Sequence, residues 1–173
     1  MSATVEPTAP DILGEPWVAR RIPVTESPTK APGADHAVLV HQREAAGRAS
    51  RPRQSRAVLY LHGRSDYFFQ THLAREISRL GGAFYALDLR RYGRSWREGQ
   101  MLGWCTSLAD YDEDLGLALS AIRADQGWET EVVLSGHSTG GLVASLWADR
   151  HPGALRALVL NSAWLSLQGS ELV

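Results

Sequence analysis

Four short, almost unbroken apolar runs constrain what this chain can fold into: Ala57–Leu61, Ala83–Leu89, Glu131–Ser135 and Leu155–Leu160. A strand with one wet face alternates polar and apolar residues, so a continuous run predicts a strand buried on both faces. The segments between the runs carry helical periodicity instead. Over Gln70–Leu80, Leu73, Ile77 and Leu80 share one face, and Gly81-Gly82 follows as a stop. Ser107 and Asp110 have capping-box spacing ahead of a stripe formed by Leu108, Tyr111, Leu115, Ala118 and Ile122. A third helix carries Leu142, Val143, Leu146 and Trp147 and ends at Pro152-Gly153. Strand and helix in alternation predict an α/β fold with a mostly parallel sheet and helices on both faces. Upstream, Trp17–Val24 and His36–Glu44 read as two strands joined by Ser27–Asp35 with no helix between them, which predicts antiparallel leading strands. Met1–Pro16, with Pro7, Pro10 and Pro16, reads as a loose tail, leaving residues 17–173 as the folded domain.

A chain of 173 residues, 44% hydrophobic and 21% charged, supports one domain with a real core. Its net charge of −1 supplies no general attraction to nucleic acid or anionic membrane. The arginines of Gly47–Arg56 read as a solvated loop; no aromatic residue accompanies them to support contact with an anionic partner. Cys105 is the only cysteine, which excludes an intrachain disulfide and the usual zinc sites and fits a reducing compartment. Met1–Trp17 lacks the basic start and apolar run of a secretory signal, and no stretch is apolar enough to span a bilayer. The expectation is a cytoplasmic protein without cofactor or metal.

The chemistry concentrates at Gly136-x-Ser138-x-Gly140, between a buried strand and a helix. A serine hydroxyl needs a base, exposure and donors for the oxyanion it creates. A sharp strand-to-helix turn lifts Ser138 out of the backbone and aims the Thr139 N–H at the reacting oxygen. The positive end of the following helix adds to that field. Leu61-His62-Gly63-Arg64 ends an earlier buried strand, where the Arg64 N–H offers a second oxyanion donor. The competing readings of Gly136–Gly141 are a mere tight turn or a phosphate cradle; the latter lacks its expected lysine.

With these residues in place, the chain resembles the α/β-hydrolases, in particular the lysophospholipase and monoacylglycerol-lipase-like branch. The likeness lies in Leu59-Tyr-Leu-His-Gly63, Tyr85-Ala-Leu-Asp-Leu-Arg-Arg-Tyr-Gly-Arg-Ser95, Gly136-His-Ser-Thr-Gly-Gly141 and Leu158-Val-Leu-Asn-Ser162. It covers about Ala57 to Gly169. It implies a serine hydrolase acting on small-molecule esters or lipids through an acyl-enzyme on Ser138, with Thr139 and Arg64 as oxyanion donors. It assigns Asp88 and the Gly93-Arg94-Ser95 turn structural roles. Arg91 departs from the branch's pattern, which has glycine there, so that turn is expected to differ.

The same resemblance orders the triad as serine, acid, histidine. After Ser138 only Asp149 and Glu171 are acids and only His151 is a histidine. His151 lies thirteen residues along the helix from Ser138, roughly 20 Å away at about 1.5 Å per residue. His62 and His137 are expected to be structural. The expectation is a hydrolase fold truncated after its sixth strand, lacking triad acid and histidine. Leu155–Leu160 would then form a bare edge open to self-association. The alternative is a non-catalytic hydrolase-fold protein that binds a small apolar ligand or a protein partner.

Overall fold

In the computed structural model, which describes residues 8–25, 36–43 and 54–166, one sheet organises the chain. Its strands are β1 (Ala9–Pro10), β2 (Trp17–Pro23), β3 (His36–Gln42), β4 (Arg56–Leu61), β5 (Ala83–Asp88), β6 (Glu131–His137) and β7 (Ala157–Asn161). The order across the sheet is β1-β2-β3-β5-β4-β6-β7. β2 and β3 pair antiparallel from Trp17↔Gln42 to Pro23↔His36, and β3 pairs antiparallel with β5. From β5 through β4 and β6 to β7 every pairing is parallel.

The unbroken apolar runs are explained by two cores. Leu59 and Leu61 of β4 face one core with Tyr85, Leu87 and Leu134; Tyr60 faces the other with Val40, Phe84 and Ala86. Helices α2 (Asp112–Gln126) and α3 (Thr139–Arg150) cover the first face through Leu115, Ile122, Val143 and Trp147. Helix α1 (Thr71–Arg79) covers the second through Ala74. Gly81, at φ 79°, ends α1: its N–H donates to the Ser78 carbonyl and that of Gly82 to Ile77. A left-handed residue after the last turn with this bond pair satisfies the terminal carbonyls.

Three features differ from the sequence reading. The sheet has seven strands, not six, because Ala9–Pro10 pairs with β2. Part of the supposed loose tail is therefore folded, anchored by the buried Asp11, whose carboxylate accepts from Arg94 Nε at 2.5 Å and Nη2 at 2.9 Å. The capping box at Ser107 and Asp110 is present, but it opens a 3-10 turn over Leu108–Tyr111 that runs into α2. Glu44, Ser27–Asp35, Glu171 and the first part of the Gly47–Arg56 loop lie outside the described residues.

Candidate active site

β6 runs to His137 and α3 starts at Thr139, so the whole reversal falls on Ser138. Its backbone sits at φ 53° and ψ −120°, a region costly for a residue with a side chain. The turn closes only because its flanks lack side chains. A Cβ on Gly136 would lie 2.7 Å from the Gly140 carbonyl oxygen, and one on Gly140 would lie 2.9 Å from that of Leu61. The Ser138 N–H donates to the Asn161 carbonyl at 3.1 Å, and its own carbonyl accepts from Trp164 N–H at 3.0 Å. The turn is thus clamped between β4 and the segment after β7.

The loop after β4 lies against this turn, since a Cβ on Gly63 would sit 3.2 Å from Ser138 Cβ. His62 shapes that loop. Its Nδ1–H donates to the Gly63 carbonyl at 2.8 Å, and its Nε2 accepts from the Leu89 N–H at 3.2 Å. These two bonds occupy both ring nitrogens and leave neither for Ser138. His137 Nδ1 contacts the Asn161 carbonyl at 3.2 Å. His151 stacks on Trp147 at 4.3 Å and bonds its carbonyl at the far end of α3. Among the described residues, no histidine is hydrogen-bonded to Ser138, and neither the Arg64 nor the Thr139 N–H is taken by another group.

A second layer holds the loops in place. The buried Asp88 carboxylate accepts from the N–H groups of Phe68 and Arg94 and from Arg94 Nη1, while Ser95 Oγ donates to the Asp88 carbonyl. The next two arginines are buried as well, at 2% and 1% exposure. Arg90 Nε donates to Asp114 at 2.7 Å and its Nη2 to Glu113 at 2.9 Å, tying the loop to α2. Arg91 holds φ 64°, a left-handed conformation that glycine adopts freely. Its Nη1 donates to the Trp104 carbonyl at 2.9 Å, and its guanidinium lies 5.4 Å from the Trp104 ring centroid. The departure at Arg91 therefore leaves a left-handed turn and adds a buried cation that pins the Gly103–Trp104 segment. Sequence reasoning marked Arg91 only as a departure at a turn and foresaw burial of neither Arg90 nor Arg91.

A cavity of about 260 Å³ opens beside the turn, touching Thr139, Gly140 and Gly63. Its walls include Leu89, Tyr92, Tyr111, Leu142, Val143 and Trp164. Burial raises the Tyr92 and Tyr111 hydroxyls above their ordinary range, so both stay neutral. Tyr111 donates to the Gly103 carbonyl at 3.2 Å.

The strand order and the strand-to-helix turn define an α/β-hydrolase. The chain has a TM-score of 0.63 and 20% identity to the peroxisomal α/β-hydrolase Lpx1 of Saccharomyces cerevisiae, over 90% of this chain and 48% of that one. Against a thermostable carboxyl esterase of Bacillus coagulans the TM-score is 0.60 at 17% identity, over 82% of this chain and 43% of that one. The chain belongs to the hydrolase family described as serine aminopeptidase, S33, which matches residues 52–171. It is 31% identical over 110 residues to lysophospholipase L2 of Escherichia coli K12, covering 62% of this chain and 32% of that protein. It is 30% identical over 105 residues to a monoacylglycerol lipase of Mycolicibacterium smegmatis, covering 60% and 36%. The chain thus spans about a third of the length of these curated relatives. Among the described residues, no helix is long and apolar enough to cross a membrane.

Proposed function

We propose that this chain carries the nucleophile and oxyanion half of a carboxylic ester hydrolase. Ser138 Oγ gives its proton to a general base and attacks the ester carbonyl carbon. The Thr139 and Arg64 N–H groups bind the resulting oxyanion, the alcohol leaves, and water then hydrolyses the acyl-serine. The observation that carries this reading is the strained backbone of Ser138 at the head of α3. Strain of this kind persists only where the surroundings enforce it, and it clusters at functional sites. Family membership and the names of the relatives support the ester class.

The family's description also speaks of peptidase action. An aminopeptidase must hold a substrate ammonium, and among the described residues the cavity walls carry no carboxylate. That favours esters over amino-terminal peptides. The histidine partners described above support a base drawn from outside the described residues, so residues 1–173 alone are expected to show no serine-dependent esterase rate. The assay is p-nitrophenyl butyrate hydrolysis beside an amino-acid p-nitroanilide, using protein from the complete reading frame and its Ser138→Ala variant. Serine-dependent ester cleavage without anilide cleavage supports the reading; serine-dependent anilide cleavage with no ester cleavage overturns it.

A further inference from the structure

Arg91 ties the Gly103–Trp104 segment to the rest of the molecule with both its backbone and its side chain. Its carbonyl accepts from the Gly103 N–H at 2.9 Å, and its Nη1 donates to the Trp104 carbonyl at 2.9 Å. The guanidinium also lies against the Trp104 ring. Met101, Leu102, Thr106 and Ser107, on either side of the segment, are exposed. Arg91 itself is buried and left-handed, and a side chain persists in that conformation only where its surroundings enforce it.

From Gly103 a line of contacts leads to the loop after β4. Gly103 packs so closely on the Tyr92 hydroxyl that a Cβ there would collide with it. Tyr111, which donates to the Gly103 carbonyl, stands 6.3 Å from the Tyr92 ring, so Tyr92 is held from two sides. The Tyr92 ring lies 4.8 Å from that of His62, and His62 bonds the Gly63 carbonyl at 2.8 Å. Arg64 follows directly. We propose that Arg91 is a positioning residue for the oxyanion loop: its buried guanidinium holds Gly103 against Tyr92, and Tyr92 holds His62 in the orientation that sets the Arg64 N–H beside Ser138. The inference rests on the reading of Ser138 as nucleophile and Arg64 as oxyanion donor. Packed rings and hydrogen bonds carry such a constraint, and a perturbation at one end read at the other demonstrates it. A glycine at this position would keep the left-handed turn but release the segment.

The test uses protein from the complete reading frame and its Arg91→Gly and Arg91→Lys variants. Glycine removes the cation together with the backbone strain. Lysine keeps a cation but replaces the planar fork with a single ammonium, and it carries the test if the glycine variant does not fold. In the glycine variant, hydrogen exchange read by mass spectrometry is expected to quicken about tenfold or more over both Gly103–Cys105 and His62–Arg64. Lysine is expected to quicken both segments less. With p-nitrophenyl acetate, the glycine variant is expected to lose about tenfold to a hundredfold in kcat with KM within about twofold of the parent, and lysine to recover part of that loss. Exchange that quickens over Gly103–Cys105 alone, or an unchanged kcat in a folded glycine variant, overturns the proposal. Fluorophosphonate labelling of the parent reads the nucleophile separately. Failed labelling of Ser138 with linked exchange sinks the serine reading alone; labelled Ser138 without linked exchange sinks the role of Arg91 alone.

Discussion

At Ser138 the proposed role and stability are opposed. The backbone at φ 53° and ψ −120° suits glycine, yet the residue carries a side chain. Strain of this kind costs of order 1–3 kcal/mol. Ser138→Ala keeps the Cβ and the strain, whereas Ser138→Gly removes both. Urea denaturation is expected to find the glycine variant more stable than the alanine variant by about 1 kcal/mol, after the entropy cost of glycine. Equal stabilities would mean that the turn is not strained. The flanking glycines behave oppositely: a Cβ on Gly140 meets the backbone after β4, so Gly140→Ala is expected to cost about 1–3 kcal/mol by overpacking. A Gly140→Ala midpoint matching the parent would show that the two backbones are not in close contact.

Among the elements, the segment around β1 is the least expected from sequence and the most testable. Burial alone would raise the Asp11 carboxyl, but the hydrogen bonds from Arg94 and from the Leu13 N–H outweigh it and hold it below the usual carboxylate range. A folded pKa below the unfolded value means that the pairing stabilises the chain above the unfolded pKa of about 3.9. That stabilisation is lost as pH falls through the lower folded value. Asp11→Asn is expected to lower stability at pH 7 and to shrink the difference from the parent below about pH 4; a difference constant across that range contradicts the pairing. The hydrophobic patterning makes this the hard part to read. β4, β5 and β6 are legible because both faces are apolar, and the Ser138 turn because glycine must flank it. Ala9–Pro10 has no periodicity, and Arg90 and Arg91 become buried only through partners far along the chain: Asp114 in α2 and the Trp104 carbonyl. Local sequence rules carry neither fact.

The whole molecule has an uneven surface. Among the described residues β7 forms one edge of the sheet, with Val159 at 49% and Leu160 at 41% exposure. An apolar, unpaired edge invites pairing with another chain. Residues 1–173 are therefore expected to sediment as a concentration-dependent mixture, and Val159→Lys to shift it towards monomer; a monodisperse parent at high concentration contradicts this. The strained turn is proposed to present a nucleophile. Its most direct measurement is peptide mass spectrometry after fluorophosphonate treatment of protein from the complete reading frame, with turnover of the Ser138→Ala variant measured in parallel. A single modified peptide bearing the probe on Ser138 is expected, with a loss of turnover on the order of 10⁶ in the variant. A probe on any other residue, or unchanged turnover without the Ser138 hydroxyl, would contradict it.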